Sequence, residues 1–314
     1  MHPALSVIFF TTASGAGYGL LIVMAVLAMF DLAPIDPFFG AMGLGFSFIL
    51  VSTGLLSSTF HLGHPERAWR ALSQWRTSWL SREGVVSILT FGPWTALAYV
   101  WFFEGAITIV GFFAALACIA LAILTIYCTA MIYCSLKTIH QWNNNWTVPV
   151  YLLLGLMNGV VFAGGIQAIT IGVTDSYIII SIIFVLIAGF LKYRYWFFVD
   201  TSSHTETASS ATGFMGSKVR LIEGPHTEEN YLLSEMGYKI ARKNKRKIRK
   251  ITAFFGFFIP LLTLIISLSG LGPLQIFSIL VASLSAFFGV FLSRWLFFAE
   301  ARHVVTLYYG AENA

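Results

Sequence analysis

The chain has 314 residues, of which 57% are hydrophobic and only 11% are charged, and its formal net charge at pH 7 is +5. Its mean hydropathy is +0.79. This composition excludes an ordinary soluble domain and is typical of polytopic membrane proteins. In such a protein the placement of basic residues matters more than their sum, so we expect no nucleic-acid partner.

Apolar runs follow one another along the chain, each close to the roughly 20 residues that a helix needs to cross a bilayer. Because backbone polar groups in lipid must be paired within the protein, the sequence predicts an all-α bundle of eight transmembrane helices. We expect residues 1–314 to form a single integral membrane domain with a cytoplasmic loop at about 192–250. The predicted helices are Leu5–Phe30, Pro37–Phe60, Gly84–Phe103, Ile107–Cys134, Val148–Gly172, Tyr177–Val199, Ile251–Ser269 and Pro273–Phe298.

The basic residues are confined to alternate connections between these helices. All 19 lysine and arginine residues lie in or beside the second, fourth and sixth connections, or at the end of the eighth helix and in the tail. The other connections contain no lysine or arginine, and their charged residues are Asp31, Asp36, Glu104 and Asp175. Because cytoplasmic loops accumulate lysine and arginine, the sequence predicts that both termini lie in the cytoplasm. We expect a multi-pass protein of the bacterial cytoplasmic (inner) membrane.

The predicted helices carry no ionisable residue near the middle of the membrane. Charged groups there usually mark ion paths and proton relays, so we do not expect a proton pump or an ion-coupled transporter. All 7 histidines fall on the predicted cytoplasmic side, whereas a transmembrane di-haem arrangement needs ligands at different depths. The cysteines Cys118, Cys128 and Cys134 lack CxxC spacing. We therefore expect no haem and no metal in this chain.

The connection Ser57–Glu83 contains STFHLGHPERAWRALSQWRTSWLSRE and most of the suggestive polar residues. His61 lies at the end of predicted helix two and Glu83 at the start of helix three, so we expect both side chains at the same depth. A histidine that titrates near neutrality and a partly buried carboxylate suit the proton exchange of a quinone head group. The alternative is an interfacial helix with snorkelling arginines. Four arginines lie in the same connection, and they could bind a semiquinone anion, a partner subunit or lipid phosphate. They are Arg67, Arg70, Arg76 and Arg82.

The long loop at about 192–250 has two parts. Its first part, TSSHTETASSATGFMGSK, predicts extended coil. Its second part, EENYLLSEMGYKIARKNKRKIRK, predicts a helix with one apolar side and a dense basic end. This helix suits attraction to anionic lipid headgroups or the docking of a soluble subunit, and the two are compatible.

Three segments of the chain carry a family resemblance. They are the opening MHPALSVIFFTTASGAGYGLL, the connection STFHLGHPERAWRALSQWRTSWLSREG and the late segment ATGFMGSKVRLIEGPHTEENYLLSEMGYKIARKNKRKIR. Together they resemble the DmsC family, the membrane anchors of molybdopterin oxidoreductases. The resemblance implies that His61 and Glu83 match family positions implicated in quinone binding. His64 is the second candidate histidine for quinone binding, because the family pattern after HLG varies. Arg67 and Arg82 are the expected supporting residues of the quinone site.

The resemblance also implies a complex of three subunits. A catalytic partner with molybdopterin guanine dinucleotide and an iron–sulfur partner are expected to exchange electrons with quinone, either ubiquinone or menaquinone, through this anchor. The predicted outer loops are only a few residues long, so we expect both partners on the cytoplasmic face. This favours the anchors of cytoplasm-facing sulfite dehydrogenases that reduce quinone.

Two other functions stay open at this point. In one, the anchor works in reverse and oxidises menaquinol for the reduction of dimethyl sulfoxide or a related S- or N-oxide. In the other, the chain is a structural anchor or a small-molecule transporter without quinone chemistry.

Overall fold

The computed structural model describes residues 5–202, 207–214, 219–220, 222–223 and 243–309, apart from the side chain of His61. These ranges contain 8 helices that are long and apolar enough to cross a membrane, which confirms the predicted all-α class and the number of spans. In chain order they are α1 (Leu5–Met29), α2 (Pro37–Phe60), α3 (Trp79–Glu104), α4 (Ile109–Cys134), α5 (Thr147–Thr170), α6 (Asp175–Thr201), α7 (Lys245–Ser267) and α8 (Gly272–Ala299).

The start of α3 differs from the prediction. The helix begins at Trp79 rather than at Gly84, because the Ser78 side chain caps it by accepting a hydrogen bond from the Ser81 backbone N–H at 3.5 Å. Hydropathy marks only the apolar part of a helix, so a polar first turn at the membrane surface escapes it. The extra turn places Glu83 inside the helix rather than at its start.

The long loop is shorter than predicted, because the helices on either side extend into it. The helix α6 continues to Thr201 and α7 begins at Lys245, so both flanks of the loop predicted at about 192–250 are helical. A short helix, Ala208–Thr212, lies within the part predicted as extended coil. The predicted amphipathic helix, residues 228–250, falls largely on residues 228–242, which lie outside the described residues.

The helix α1 lies in the centre of the bundle, where it packs against α2, α4, α5 and α8. Its contact with α5 depends on a pair of glycines. A Cβ atom at Gly159 would collide with the backbone of Gly19, so the two helices approach as closely as their backbones allow. On the α2 side, the Ser47 hydroxyl donates to the Gly17 carbonyl oxygen at 2.9 Å. Close approach and a hydrogen bond thus hold the central helix, as expected for helices in lipid.

We call the end of the bundle at which α1 begins and α8 ends the basic end. There the Ser57 hydroxyl of α2 donates to the Ser6 carbonyl oxygen of α1 at 2.8 Å. Trp142, in the connection between α4 and α5, donates its indole N–H to the Phe297 carbonyl oxygen of α8 at 2.8 Å. These bonds tie the connections to neighbouring helices and fix the relative depth of the helix ends.

An ion-pair network joins α6, α7 and α8 at the basic end. Arg249 of α7 donates to Asp200 of α6 at 2.5 Å and to Glu300, just after α8, at 2.7 Å. Lys192, which the sequence analysis included both in the predicted helix Tyr177–Val199 and in the loop at about 192–250, lies inside α6 with 1% of its surface exposed. Its Nζ lies 4.4 Å from the ring centroid of Tyr195, a cation–π distance. The basic residues near Lys192 therefore interrupt the apolar run without ending the helix.

Candidate functional site

Glu83 lies in the second turn of α3 with only 3% of its surface exposed. The Ser78 cap sets this position because it starts the helix ahead of Glu83. The carboxylate accepts a hydrogen bond from the hydroxyl of Thr129 on α4. The sequence predicts a partly buried carboxylate at the helix start, whereas the structure places it deeper, within the contact between α3 and α4.

The connection between α2 and α3 covers a different face of α3. Its segment Pro65–Gln74 forms a 3-10 helix, and the Ala71 carbonyl oxygen accepts a hydrogen bond from the Ser81 hydroxyl. Leu72 lies against Gly84, where an added Cβ atom would meet it at 2.7 Å. Since successive residues of a helix turn by about 100°, Ser81 and Gly84 face the loop while Glu83 faces α4.

His61 and His64 lie in the part of the chain between α2 and this 3-10 segment. His61 ends the 3-10 turn Ser58–His61, which forms the last turn of α2 and packs against α1. Its side chain lies outside what the structure describes, so its approach to Glu83 stays a prediction. His64 Nδ1 lies 3.0 Å from Glu66 Oε1, and the His64 side chain is 69% exposed. Arg67 Nε lies 3.8 Å from the same oxygen, so these residues form an exposed cluster on the loop.

Arg82 fastens the loop to the start of α3. Its Nε donates to the Trp75 carbonyl oxygen at 3.0 Å, and its Nη2 donates to the Arg76 carbonyl oxygen at 2.7 Å. Its guanidinium also lies over the Trp79 ring, 4.2 Å from the centroid. The predicted quinone-site residues with described side chains thus lie in separate places: Glu83 against α4, Arg82 within the loop, and His64 and Arg67 on the loop surface.

The structure adds a buried cation that the sequence analysis did not connect with Glu83. Arg294 of α8 is 2% exposed, and its Cζ lies 3.4 Å from the ring centroid of Tyr151 on α5. Tyr151 lies within electrostatic range of both Arg294 and Glu83. The signal in the sequence was the arginine within the apolar run FLSRWLFFA. A charged residue inside a membrane helix is by default a functional candidate.

The three cysteines are free thiols. Cys118 and Cys128 are buried and Cys134 is half-buried. Within the described ranges, no group of three or more His, Cys, Asp or Glu residues is placed to hold a metal ion.

The Glu83–Thr129 pair suits both protonation states of the carboxyl group. When Glu83 is ionised, the Thr129 hydroxyl donates to it, as the structure shows. When Glu83 is protonated, it can donate to Thr129, whose own hydrogen can turn to the Thr125 carbonyl oxygen 3.0 Å away. A carboxyl group that keeps a partner in either state can hold a proton and release it without leaving a buried group unpaired.

The whole chain is similar to membrane anchors of known oxidoreductases. Residues 1–310 match the family described as DMSO reductase anchor subunit (DmsC). The chain is 33% identical to the C subunit of the sulfite dehydrogenase of Allochromatium vinosum. The alignment spans 330 positions and covers 98% of this chain and 99% of that protein. It is 25% identical over 174 positions to the anaerobic dimethyl sulfoxide reductase chain YnfH of Escherichia coli K12, which covers 54% of this chain and 60% of that one.

These similarities confirm the resemblance that the sequence motifs indicated. They extend over the described helices and agree with the 8 membrane-length spans, so the chain is a multi-pass membrane protein of bacteria. The chain belongs to the DmsC family and is the membrane anchor of a molybdopterin oxidoreductase complex.

Proposed function

We propose that this chain passes electrons from sulfite oxidation in a partner subunit to quinone in the membrane. The observation that carries the proposal is the 33% identity to the C subunit of a sulfite dehydrogenase over 98% of this chain. The catalytic partner holds molybdopterin guanine dinucleotide, and a second partner holds the iron–sulfur clusters. This chain supplies the membrane-embedded surface at which quinone is reduced.

The basic end of the bundle faces the cytoplasm in this proposal. Every lysine and arginine lies in the connections and helix ends of that side, and positive residues are retained in the cytoplasm. The connection between α2 and α3 presents exposed side chains there, including Trp69 at 67% and Trp75 at 53% exposure. Both soluble partners dock on this end, and electrons reach quinone without crossing the membrane.

Glu83 and His61 handle protons for the bound quinone, which takes up electrons and protons as it is reduced. The buried Glu83 carboxyl holds a proton and gives it up, while Thr129 keeps the carboxyl oriented in both states. His61, at the end of the last turn of α2, is the second proton-exchanging group. His64 and Arg67 provide polar groups at the loop surface, and Arg82 supports the site by holding the loop on α3.

The overall reaction balances without net proton uptake from the far side of the membrane. Sulfite and water give sulfate with the release of two protons and two electrons, and quinone takes up the same number of each to become quinol. Because donor, quinone site and proton exchange lie on one side, no net charge crosses the membrane.

The test is electron transfer by the purified complex with its partner subunits. Sulfite is expected to reduce both an artificial acceptor and a short-chain quinone. A complex that reduces the artificial acceptor but never quinone would overturn the quinone role. A complex that oxidises no sulfite with either acceptor would overturn the choice of donor.

A second function is favoured by the family description and by the partial similarity to a dimethyl sulfoxide reductase chain. In that case the same anchor oxidises menaquinol for the reduction of an S- or N-oxide. Quinol-dependent reduction of dimethyl sulfoxide by the purified complex distinguishes the two directions.

A structural anchor or transporter would carry out no quinone chemistry. In that case, lipid extracts of the purified complex are expected to contain no bound quinone.

A further inference from the structure

A small cavity lies inside the bundle between α1, α4, α5 and α8. It leaves about 10 Å³ for the centre of a water molecule, close to the minimum for one ordered water. A quinone head group is far larger than this space. The polar residues that line the cavity are Thr11, Ser14, Tyr18, Thr129, Tyr151 and Arg294.

Several groups in this lining require a hydrogen-bond partner. The Tyr18 hydroxyl lies near Ser87 and Thr125, and the Tyr151 hydroxyl lies near Arg294. None of these approaches is a well-formed hydrogen bond among the described residues, and Arg294 Nε has no well-formed bond there either. The side chains of Tyr18, Tyr151 and Arg294 are at least nine-tenths buried, with 1%, 1% and 2% of each residue exposed. Buried donors of this kind are nearly always bonded to protein or to ordered water.

The other polar residues of the lining offer acceptors. The Ser14 hydroxyl donates to the Phe10 carbonyl oxygen at 2.6 Å, and the Thr11 hydroxyl donates to the Val7 carbonyl oxygen at 3.0 Å. Their remaining lone pairs can therefore only accept a hydrogen bond. A water molecule is both donor and acceptor, so it can accept from Arg294 or a tyrosine and donate to these oxygens. The site supplies the two to four polar partners that a buried water needs.

Thr129 connects this cavity to Glu83. Its side chain lines the cavity and its hydroxyl bonds to the Glu83 carboxylate. Three titratable groups lie within electrostatic range of this carboxyl, namely Tyr18 of α1, Cys128 of α4 and Tyr151 of α5. Arg82 of α3 lies within range of Cys128, and Arg294 of α8 lies within range of Tyr151.

Aromatic side chains pack around Tyr151, which lines the cavity. The Tyr151 ring centroid is 5.9 Å from that of Tyr133 and 5.4 Å from that of Phe297. The Trp142 ring stacks on Phe297 at 5.5 Å. The cavity therefore borders an aromatic cluster through Tyr151.

We propose that the cavity binds an ordered water molecule, and that this water and the Thr129 hydroxyl link Glu83 to Tyr151, Tyr18 and Arg294. The linked hydroxyl groups stabilise the ionised Glu83 carboxylate after it has given up its proton, and the Arg294 guanidinium, 3.4 Å from the Tyr151 ring centroid, holds Tyr151 in position. This deepens the proposed function and rests on it, because it assigns Thr129, Tyr151 and Arg294 as positioning residues for Glu83. They act through the carboxyl and do not contact quinone.

The first part of the test is a density map of the complete complex at a resolution that shows ordered water. The map is expected to show a water peak within hydrogen-bond distance of the Tyr151 hydroxyl and of Thr129 or Arg294. A map in which the cavity is dry, or in which these polar atoms bond directly to one another, would overturn the proposal. This result is independent of any activity.

The second part compares turnover with quinone in matched variants of the complex. Tyr151→Phe removes a hydroxyl and keeps the ring beneath Arg294, and Thr129→Val removes a hydroxyl at nearly constant volume. Each is expected to lower kcat with quinone by about tenfold, the equivalent of one hydrogen bond, with an unchanged KM for quinone. The matched controls are Tyr177→Phe and Thr90→Val, whose hydroxyls bond to backbone carbonyls away from the cavity and whose loss leaves kcat unchanged.

Dye-linked oxidation of the donor by the partner subunits measures how much assembled complex each preparation contains, and turnover is normalised to it. Wild-type kcat in both Tyr151→Phe and Thr129→Val would overturn the positioning role even if the water is present. The Glu83→Gln variant separates this result from the proposed function. Full quinone turnover in Glu83→Gln means that the proposed role of Glu83 has failed, whereas lost turnover there with wild-type kcat in the other two means that only this inference has failed.

Discussion

The hydroxyl of Thr129 on α4 donates a hydrogen bond to the carboxylate of Glu83 on α3, where Glu83 is 3% exposed. The same part of α3 holds the preceding loop through Ser81, whose hydroxyl bonds to the Ala71 carbonyl oxygen. One stretch of helix therefore presents a buried carboxyl group, which we propose exchanges protons, on one face and contacts a surface loop on another. Changes to the loop and changes at Glu83 can be tested separately.

The close contact between α1 and α5 predicts a large effect from one added methyl group. In Gly159→Ala the new Cβ atom meets the Gly19 backbone, so the helices must separate. We expect a loss of about 1–3 kcal/mol of stability, measured as a lower melting temperature of the purified protein. The control is Gly45→Ala in α2, where a Cβ atom meets nothing within 4 Å. Equal melting temperatures for the two variants would contradict the packing account.

The ion-pair network at the basic end predicts unequal effects from its two carboxylates. Glu300→Gln removes the charge bonded to Arg249 at 2.7 Å, where the Glu300 side chain is 4% exposed. We expect a loss of about 2–3 kcal/mol because a charged hydrogen bond is weakened within a buried contact. Asp200→Asn removes the other charge, but that side chain is 46% exposed. For this variant we expect a loss of stability of about 1 kcal/mol or less, measured by thermal unfolding, since solvent screens the pair. The reverse order of the two losses would be inconsistent with this interpretation.

Much of the architecture was predictable from hydropathy and charge. The eight spans follow from apolar length, and the family follows from motifs such as the loop that contains His61. The depth of Glu83 was not predictable, because the polar turn that begins at Trp79 carries no hydropathy signal. The Glu83–Thr129 bond joins residues far apart in sequence, and no periodicity reports such a pair. Lys192 fell within both the predicted helix Tyr177–Val199 and the loop predicted at about 192–250, and the structure places it inside α6.

The proposed orientation can be checked with single cysteines of matched chemistry. Ser73→Cys lies exposed in the connection between α2 and α3, and Ser269→Cys lies exposed between α7 and α8 at the opposite end. A membrane-impermeant maleimide is expected to label Ser73→Cys only in inside-out vesicles and Ser269→Cys only in intact spheroplasts. The unmodified chain, with Cys134 half-buried, provides the background. Labelling of Ser73→Cys from the outside would reverse the topology.

The one-sided arrangement of donor, proton exchange and quinone predicts that turnover generates no membrane potential. Sulfite added to sealed vesicles, with the downstream oxidases blocked and quinone present, is expected to leave a potential-sensitive dye unchanged. As a control, the same vesicles are given another respiratory substrate before the oxidases are blocked. A dye response there shows that the vesicles are sealed and can hold a potential. A potential driven by sulfite under the block would mean that charge crosses the bundle, against the proposed one-sided reaction.

The most direct measurement is the ratio of quinone-linked to dye-linked turnover in the Glu83→Gln complex. Glutamine keeps the size of the side chain and still accepts the Thr129 hydrogen bond, but it cannot give up a proton. We expect the ratio to fall at least about 100-fold, the scale of a lost general acid or base, while dye-linked oxidation stays at the wild-type level. Glu104→Gln, an exposed residue at the opposite end of α3, is the control and should leave the ratio unchanged. A wild-type ratio in Glu83→Gln would contradict the account.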